Sequence, residues 1–424
     1  MSAKRATGAC ETISEFLWGR DRCVLECRSG TASILALENQ WRRLEVQCSE
    51  PFSAFQSANW CFAWLAKRHL DTGSPQIFVL WRNGRAVLIW PAKIVVSRVG
   101  ARLLTSLADP FDQYCNVIVD RTAVPQSMAV DVLEQAVKHS GVDAVTLRGF
   151  PDGSILQPFA ERRGYSDITA KEASVLDISQ HRDWQEYVAT LPKKTRRNRK
   201  QRQNRLNRLG RAQYHVHCGG TPEYRELVDR ALEMKCRWLR ETGRRATKLS
   251  SPLNREFMRS LTGECDGSGK PARGVIAHGL YIDDRPVAIE IGILQDRHYY
   301  VYLGAFDWDL RAYSPGKIQM ELSQKWAFDT GVATYDFLGG ASDYKASWTD
   351  TSFRLHNCSV PLTKFGHVYC AVWKAVVRPL LKDGFNRLNP RHKKAVIALA
   401  GRLAGESAET RSASKQPPIS NRAA

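Results

Sequence analysis

Apolar and polar positions along this chain fall into two successive blocks, each mixing helical and two-residue periods. In the first block, residues 35–48 and 60–69 carry helix-like apolar spacing. Residues 77–81 and 86–96 flank Asn83-Gly84, a strong short-range hairpin signal. A strand at 117–119, a helix at 124–139, a β-rich run at 144–147 and a helix ending near Gly164 follow. The second block opens on a polar helix at 183–210, then a strand at 214–217 and a helix at 222–240. Three β-rich runs come next, at 275–282, 287–294 and 299–306, the first two joined tightly by Asp283-Asp284-Arg285. A helix at 315–330, strands at 334–338 and 353–362, and a helix at 369–381 complete the pattern. Both blocks read as α+β with strand meanders.

The 424 residues are 43% hydrophobic and 25% charged, ample for two or three cored domains and inconsistent with disorder throughout. Residues 1–30 and 405–424 lack sustained periodicity and are expected to be flexible. Eleven cysteines lie singly with no CxxC pair, and an odd number closes no disulfide framework. Neither structural zinc nor any other metal is expected. The first residues lead to Cys10-Glu11 and not to an apolar core, so no signal peptide is read. The best apolar run, 86–96, is broken by Pro91 and Lys93 and is too short to span a bilayer. These features predict a soluble, reduced, cytoplasmic protein.

Charge changes the picture. With 62 Lys and Arg against 43 Asp and Glu, the net charge is +19, which favours polyanionic or phosphorylated partners or a membrane surface. Residues 193–211 hold ten cations (193, 194, 196, 197, 199, 200, 202, 205, 208 and 211) and no acid, so over half the excess charge sits there. Leu206 and Leu209 supply only a narrow apolar contact. Such a helix repels itself unless anions occupy it. Arg196, Arg197 and Arg199 are therefore candidates for binding the phosphates of a nucleotide-linked or lipid-linked substrate, tRNA phosphates or an anionic bilayer; a solvated face between the blocks is the alternative. Base-stacking aromatics do not interleave the run.

The other informative stretch is Arg311-Ala-Tyr-Ser-Pro-Gly-Lys317, between a strand and a helix. Ser314 suits an N-cap and Pro315 the first helical position. Gly316 and Lys317 then sit in a first turn whose unpaired N–H groups and dipole attract a diphosphate or carboxylate, with Arg311 and Lys317 adding charge.

Arg311-x-x-Ser314-x-Gly316, followed by Tyr335-Asp-Phe-Leu-Gly-Gly340, resembles the pyrophosphate loop of the GNAT acyltransferase superfamily, Gln/Arg-x-x-Gly-x-Gly/Ala. Tyr313-Ser-Pro-Gly316, Tyr335-Asp-Phe-Leu338 and Tyr344-Lys-Ala-Ser-Trp348 resemble more closely the CelD-like acetyltransferases linked to bacterial polysaccharide synthesis, relatives of the FemAB transferases. The resemblance spans roughly residues 35–365. It implies two tandem GNAT-like domains, each a mixed, mostly antiparallel sheet flanked by helices: 31–180, then the basic helix 181–211, then a catalytic domain 212–365. Appended basic helices would occupy 366–404. The donor implied is acyl-CoA, acetyl-CoA foremost. Ser314-Pro315 departs from the loop pattern, since proline removes one backbone donor, and FemAB relatives draw their acyl group from aminoacyl-tRNA.

By the same resemblance, Leu303 and Gly304 would lie beside the pantetheine arm; as residues alone they read as ordinary strand core, Leu303 above all. Asp336 is either a general base raised by apolar company or a buried carboxylate satisfied by backbone donors at the Gly339-Gly340 turn. Glu290, interrupting an apolar run, is the rival base, unless strand alternation turns it to solvent. Tyr344 stands where a GNAT general acid occurs, unless it packs with Trp348 four residues on; Lys345 is a phosphate contact or a partner for Asp343, and Trp348 a substrate contact or a packing residue. His298, His356 and His367 are isolated and carry no assigned role. The functional reading is an acyltransferase acting directly on an amine or hydroxyl of a polysaccharide or cell-envelope precursor. Aminoacyl transfer from tRNA and a non-catalytic scaffold for anions, nucleic acid or membrane are the alternatives.

Overall fold

The computed structural model describes residues 10–48, 52–67, 73–164, 171–244, 249–340, 345 and 347–372. They group into two units, Met1–Leu362 and Thr363–Ala424. In the first unit, the leading half runs β1 Cys10–Trp18, β2 Asp21–Arg28, α1 Thr31–Leu35, α2 Glu38–Gln47, α3 Ala58–Ala66, β3 Ser74–Arg82, β4 Arg85–Val96, β5 Arg102–Ser106, β6 Ile118–Val119, α4 Gln126–Ser140, β7 Ala144–Pro151, α5 Leu156–Arg162 and β8 Lys171–Asp177. The trailing half runs α6 Trp184–Thr190, α7 Lys193–Asn207, β9 Ala212–Cys218, α8 Pro222–Glu241, α9 Pro252–Ser260, β10 Gly263–Cys265, β11 Pro271–Ile282, β12 Arg285–Gln295, β13 His298–Phe306, α10 Pro315–Asp329, β14 Thr334–Gly339 and β15 Thr351–Pro361. In the second unit, α11 Lys364–Val368 is described; most of the expected basic helices, and the tail, lie outside the described residues.

The fifteen strands among the described residues form one sheet, ordered β1-β2-β3-β4-β5-β7-β15-β8-β14-β13-β12-β11-β10, with β6 on β4 and β9 on β11. Pairing is antiparallel except for β5–β7 and β13–β14. The halves exchange strands. β8, from the end of the leading half, pairs with β14 of the trailing half, while β15 pairs with β7 as well as β8. Boundaries drawn along the sequence at 180 and 212 therefore do not divide the sheet.

Three local expectations are corrected. Residues 10–28 are not flexible but form the β1–β2 hairpin, turning through Gly19 at φ 63°, with β2 paired onto β3. The polar helix expected at 183–210 is two helices, because Pro192 pushes Leu191 into extended conformation, ψ 143°. Cys218 and Cys265, 47 residues apart, are joined in a disulfide. They meet because β9 and β10 both pair with β11, Cys218 opposite Ile276 and Gly263 opposite Gly274. The other nine cysteines are not in a disulfide.

In the trailing half both faces of the sheet are covered. Ile289, Ile291 and Ile293 of β12 point towards α8, in a core with Leu227, Val228, Ala231 and Leu232. Residues of the opposite parity point towards α10: Ala288 shares a core with Ile318, and Tyr299 with Ala327. A strand covered on both sides has no solvent face, which decides where Glu290 goes.

Candidate active site

β13 and β14 pair over only three positions, His298–Thr334, Tyr299–Tyr335 and Tyr300–Asp336, and then diverge. Each strand has a cause for leaving. On β13 the register with β12 slips between Ile291 and Gly292, a bulge that increases twist. On β14 the register with β8 breaks between Asp336 and Gly339, and Leu338 adopts φ 60°, uncommon for a residue with a side chain. Asp336 holds that bend. Its fully buried carboxylate accepts the Leu338 N–H at 2.6 Å and the Tyr114 hydroxyl at 2.9 and 3.0 Å, and His298 Nε2 lies 3.1 Å away.

Of the two readings of Asp336, this geometry favours the structural one, and it gives the isolated His298 a partner. Asp336→Ala strands three polar partners in the core and is expected to cost roughly 3 kcal/mol of stability, read as a lower urea midpoint. An unchanged midpoint would remove Asp336 from its bend-holding role.

Where the strands part, a cleft of about 510 Å³ opens through the sheet. From the α10 side it is lined by Glu290, Phe306, Arg311, Ser314, Gly316, Lys317, Gln319 and Met320. Lys235 and Trp238 of α8, Leu303 and Ala305 line the other side, where Gln113 of the leading half also reaches in. Gly304, Leu338, Gly339 and Lys345 border it as well. The residues expected beside the donor thus meet in one cavity with Glu290 and Lys345, whereas Asp336 is not among its lining.

Glu290 is buried and faces α10, which corrects the solvent-facing alternative. Tyr299 and Tyr335 both donate to its Oε1, at 3.0 and 2.9 Å, and Ser323 Oγ bonds the Tyr335 hydroxyl at 2.7 Å. Burial pushes the carboxyl up to about 7 despite those donors. Gly292 makes the arrangement possible, because a Cβ there would land on the Tyr299 hydroxyl. Gly304 stands directly opposite Glu290 in the β12–β13 register, and a Cβ on it would meet nothing within 4 Å. Paired residues share a face, so open space adjoins the carboxyl.

The start of α10 differs in detail from the expected cap. Ser314 occupies the N-cap position at φ 56°, ψ 46°, and its side chain makes no cap hydrogen bond. Its carbonyl accepts the N–H groups of Lys317 and Ile318 at 3.0 and 3.4 Å. Pro315 has no N–H, so the N–H of Gly316 is the donor left over in this first turn. Ser314 stands in the left-handed conformation for which glycine is the default, at the place where the GNAT loop pattern has its first glycine. Gln319, one turn on, is buried with neither amide atom hydrogen-bonded among the described residues.

Lys345 is buried, its Nζ donating to the carbonyls of Phe337 at 2.8 Å and Leu338 at 3.1 Å; burial lowers its pKa, with Asp336 opposing. Tyr344 lies outside the described residues. Two substrate-contact expectations are corrected. Arg199 is buried on Trp348, its guanidinium carbon 4.1 Å from the ring centroid, and Trp348 is itself in the core. A guanidinium stacks well on an aromatic face, so an all-polar helix can still pack by its cations. Arg196 is half-buried, while Arg197 faces solvent with Lys193, Lys194, Lys200, Arg205, Arg208 and Arg211.

Sequence reasoning missed Lys235, Trp238 and Gln113, which carry no motif and reach the cleft only through the fold. It also missed Asp112, whose carboxyl accepts from Trp60 Nε1 at 2.6 Å and from Ser106, and which burial pushes up to about 7. Among the described residues no group of acids, histidines and cysteines is placed to hold a metal, and no helix is long and apolar enough to cross a membrane.

Residues 193–346 match the acetyltransferase (GNAT) domain family. No curated protein matches the chain in sequence. Among solved structures, FemX is 11% identical with a TM-score of 0.55, over 79% of this chain and 98% of that one, which places the two in a common fold. A tandem GNAT protein from the clavulanic acid biosynthesis pathway is 14% identical with a TM-score of 0.42, over 80% and 100%. L-PGS from Bacillus licheniformis is 11% identical with a TM-score of 0.46, over 80% and 96%.

Proposed function

We propose, from the premise that the chain is a GNAT-type acyltransferase, that it moves an acetyl or other acyl group from acyl-CoA to an amine or hydroxyl of a polysaccharide or cell-envelope precursor. The observation that carries this reading is the meeting of Glu290 and the α10 start in one cleft. A diphosphate at that start takes the Gly316 N–H and the charges of Arg311 and Lys317. The pantetheine arm then runs along Leu303 and Gly304, within reach of the free Gln319 amide.

The chemistry needs a base, an oxyanion donor and an exit for the thiolate. Glu290, with a pKa of about 7, removes the proton from the attacking nitrogen or oxygen near neutral pH. Lys345 spends two N–H bonds on backbone carbonyls and has a third for the oxyanion. The new C–N or C–O bond forms as the C–S bond breaks, and the proton leaves with coenzyme A as its thiol. Tyr344 remains the proposed acid. The leading half (31–180) and the catalytic half (212–365) are proposed as a functional division only. Nine cysteines outside a disulfide against one disulfide favour a reducing, cytoplasmic compartment, and the cations of α7 suit contact with the inner face of a membrane.

Those cations also favour a second reading, aminoacyl transfer from aminoacyl-tRNA. α7 adjoins the loop before α10, with Arg205 Nη2 donating to Ala312 O at 2.9 Å. Thermal shift separates the two. Acetyl-CoA is expected to raise the melting temperature beyond equimolar phosphate, and mass spectrometry of an acceptor mixture should find an added acetyl group. Strongly salt-sensitive tRNA binding without a response to acetyl-CoA would instead select aminoacyl transfer.

A further inference from the structure

The cleft has two mouths, and the one under α8 is cationic without a counterion. Lys235 and Trp238, three apart on α8, face the same way, and both line the cleft. Lys235 Nζ lies 4.5 Å from the Trp238 ring centroid and donates to Gly304 O at 2.9 Å. The Arg244 guanidinium carbon lies 5.1 Å from the same centroid, so one indole gathers two cations. Lys345 borders the same space. Among the described residues none of the three pairs with a carboxylate. Among the described residues the one acid lining the cleft is Glu290, on the side facing α10, and the acid acting on Lys345 is Asp336, already engaged by Tyr114, Leu338 and His298. Burial, then Arg244 and Lys345, lower the Lys235 pKa, as expected where like charges gather without an anion.

We propose that this mouth is an anion site for the acyl acceptor, formed by Lys235 and Arg244 on Trp238, and that the acceptor carries a carboxylate or phosphate. The inference rests on the acyltransferase reading in one respect: the donor enters by the α10 mouth, leaving the α8 mouth to the acceptor. The two mouths use different cations, Arg311 and Lys317 for the donor and Lys235 and Arg244 for the acceptor. A neutral sugar leaves the second set unpaired, whereas an anionic one forms charge-assisted hydrogen bonds there. The site thus sorts acceptors by charge before their reacting group reaches Glu290.

The test is calorimetric titration of the full chain, saturated with coenzyme A, with glucuronate, glucose 1-phosphate and glucose. At least one of the two anionic sugars is expected to bind about tenfold or more tighter than glucose, the worth of one charged hydrogen bond, and the tighter of them tells carboxylate from phosphate. Lys235→Met, which keeps the stem over Trp238, should cancel the difference without altering the affinity for coenzyme A. Arg244→Ala, at an exposed position, should weaken the anion several-fold and decides the matter should the methionine variant fold poorly. Equal binding of all three sugars, or anion binding untouched in both variants, overturns the proposal. Absence of coenzyme A binding while the charge preference persists would instead refute the donor assignment and leave the anion site standing.

Discussion

Glu290→Gln is expected to lower turnover by roughly 10²–10⁴-fold, the usual share of a general base, while affinity for acetyl-CoA stays within a few-fold. The amide is isosteric and keeps an oxygen for the Tyr299 and Tyr335 hydroxyls, so the cleft retains its shape. What is lost is the proton acceptor. In the parent, kcat/KM should rise with pH through an apparent value near 7, because the carboxyl must ionise to act. In the variant that limb should flatten. Asp112 also titrates near 7, and a limb that survives in Glu290→Gln would transfer the assignment away from Glu290.

Stability should move the other way. The folded-state pKa of Glu290 lies above its unfolded value of 4.5, so the native protein holds a proton that the unfolded chain releases between those values. Its contribution is complete below about 4.5 and is lost as pH rises through about 7. Glutamine carries no such penalty. Glu290→Gln is therefore expected to melt higher than the parent at pH 8 and close to it at pH 5. A variant that is less active and less stable at every pH would mark Glu290 as a structural carboxyl.

Gly304→Val should slow transfer by at least roughly 10²-fold without unfolding the protein. A valine Cβ at this position meets no protein atom within 4 Å, and a β-branched residue suits a strand better than glycine does. Stability should hold or rise by about 0.5–1 kcal/mol. The new methyl groups occupy the space beside Glu290 where the thioester must lie, and misplacement by an ångström costs roughly 10²-fold. Gly292→Ala, a cross-check on the neighbouring strand, should destabilise instead, because its methyl strikes Tyr299. Normal transfer kinetics in Gly304→Val would place the thioester elsewhere and refute the pantetheine path.

Much of this protein is decided locally. Asn83-Gly84 closes the β3–β4 hairpin between Arg82 and Arg85, and the meander of β11, β12 and β13 follows the three β-rich runs nearly residue for residue. Pro315 starts α10 where the missing N–H costs least. A turn dipeptide, a strand run and a helix start each depend on a few neighbouring residues, so the amino-acid order alone sets them. The cationic bias of residues 193–211 is equally plain without coordinates.

Other features needed the chain to be folded. Alternation along β12 puts Glu290 on the face opposite Ile289 and Ile291, yet whether that face meets water depends on α10, which arrives only 25 residues later. Asp336 sits at a strand end in either reading; Tyr114, from 222 residues away, and the Leu338 N–H turn it into the holder of a bend. Arg199 looks like any other cation of its run until Trp348 covers it. The α8 mouth has no sequence signature: Lys235 and Arg244 gather on Trp238 at the end of α8, but only the fold brings Lys345 and Gln113 to the same cleft. Local order decides which elements form and which faces they present. Contacts across the sheet decide which face is dry, which charge lacks a partner and where the strands open, because burial and separation belong to pairs of distant segments.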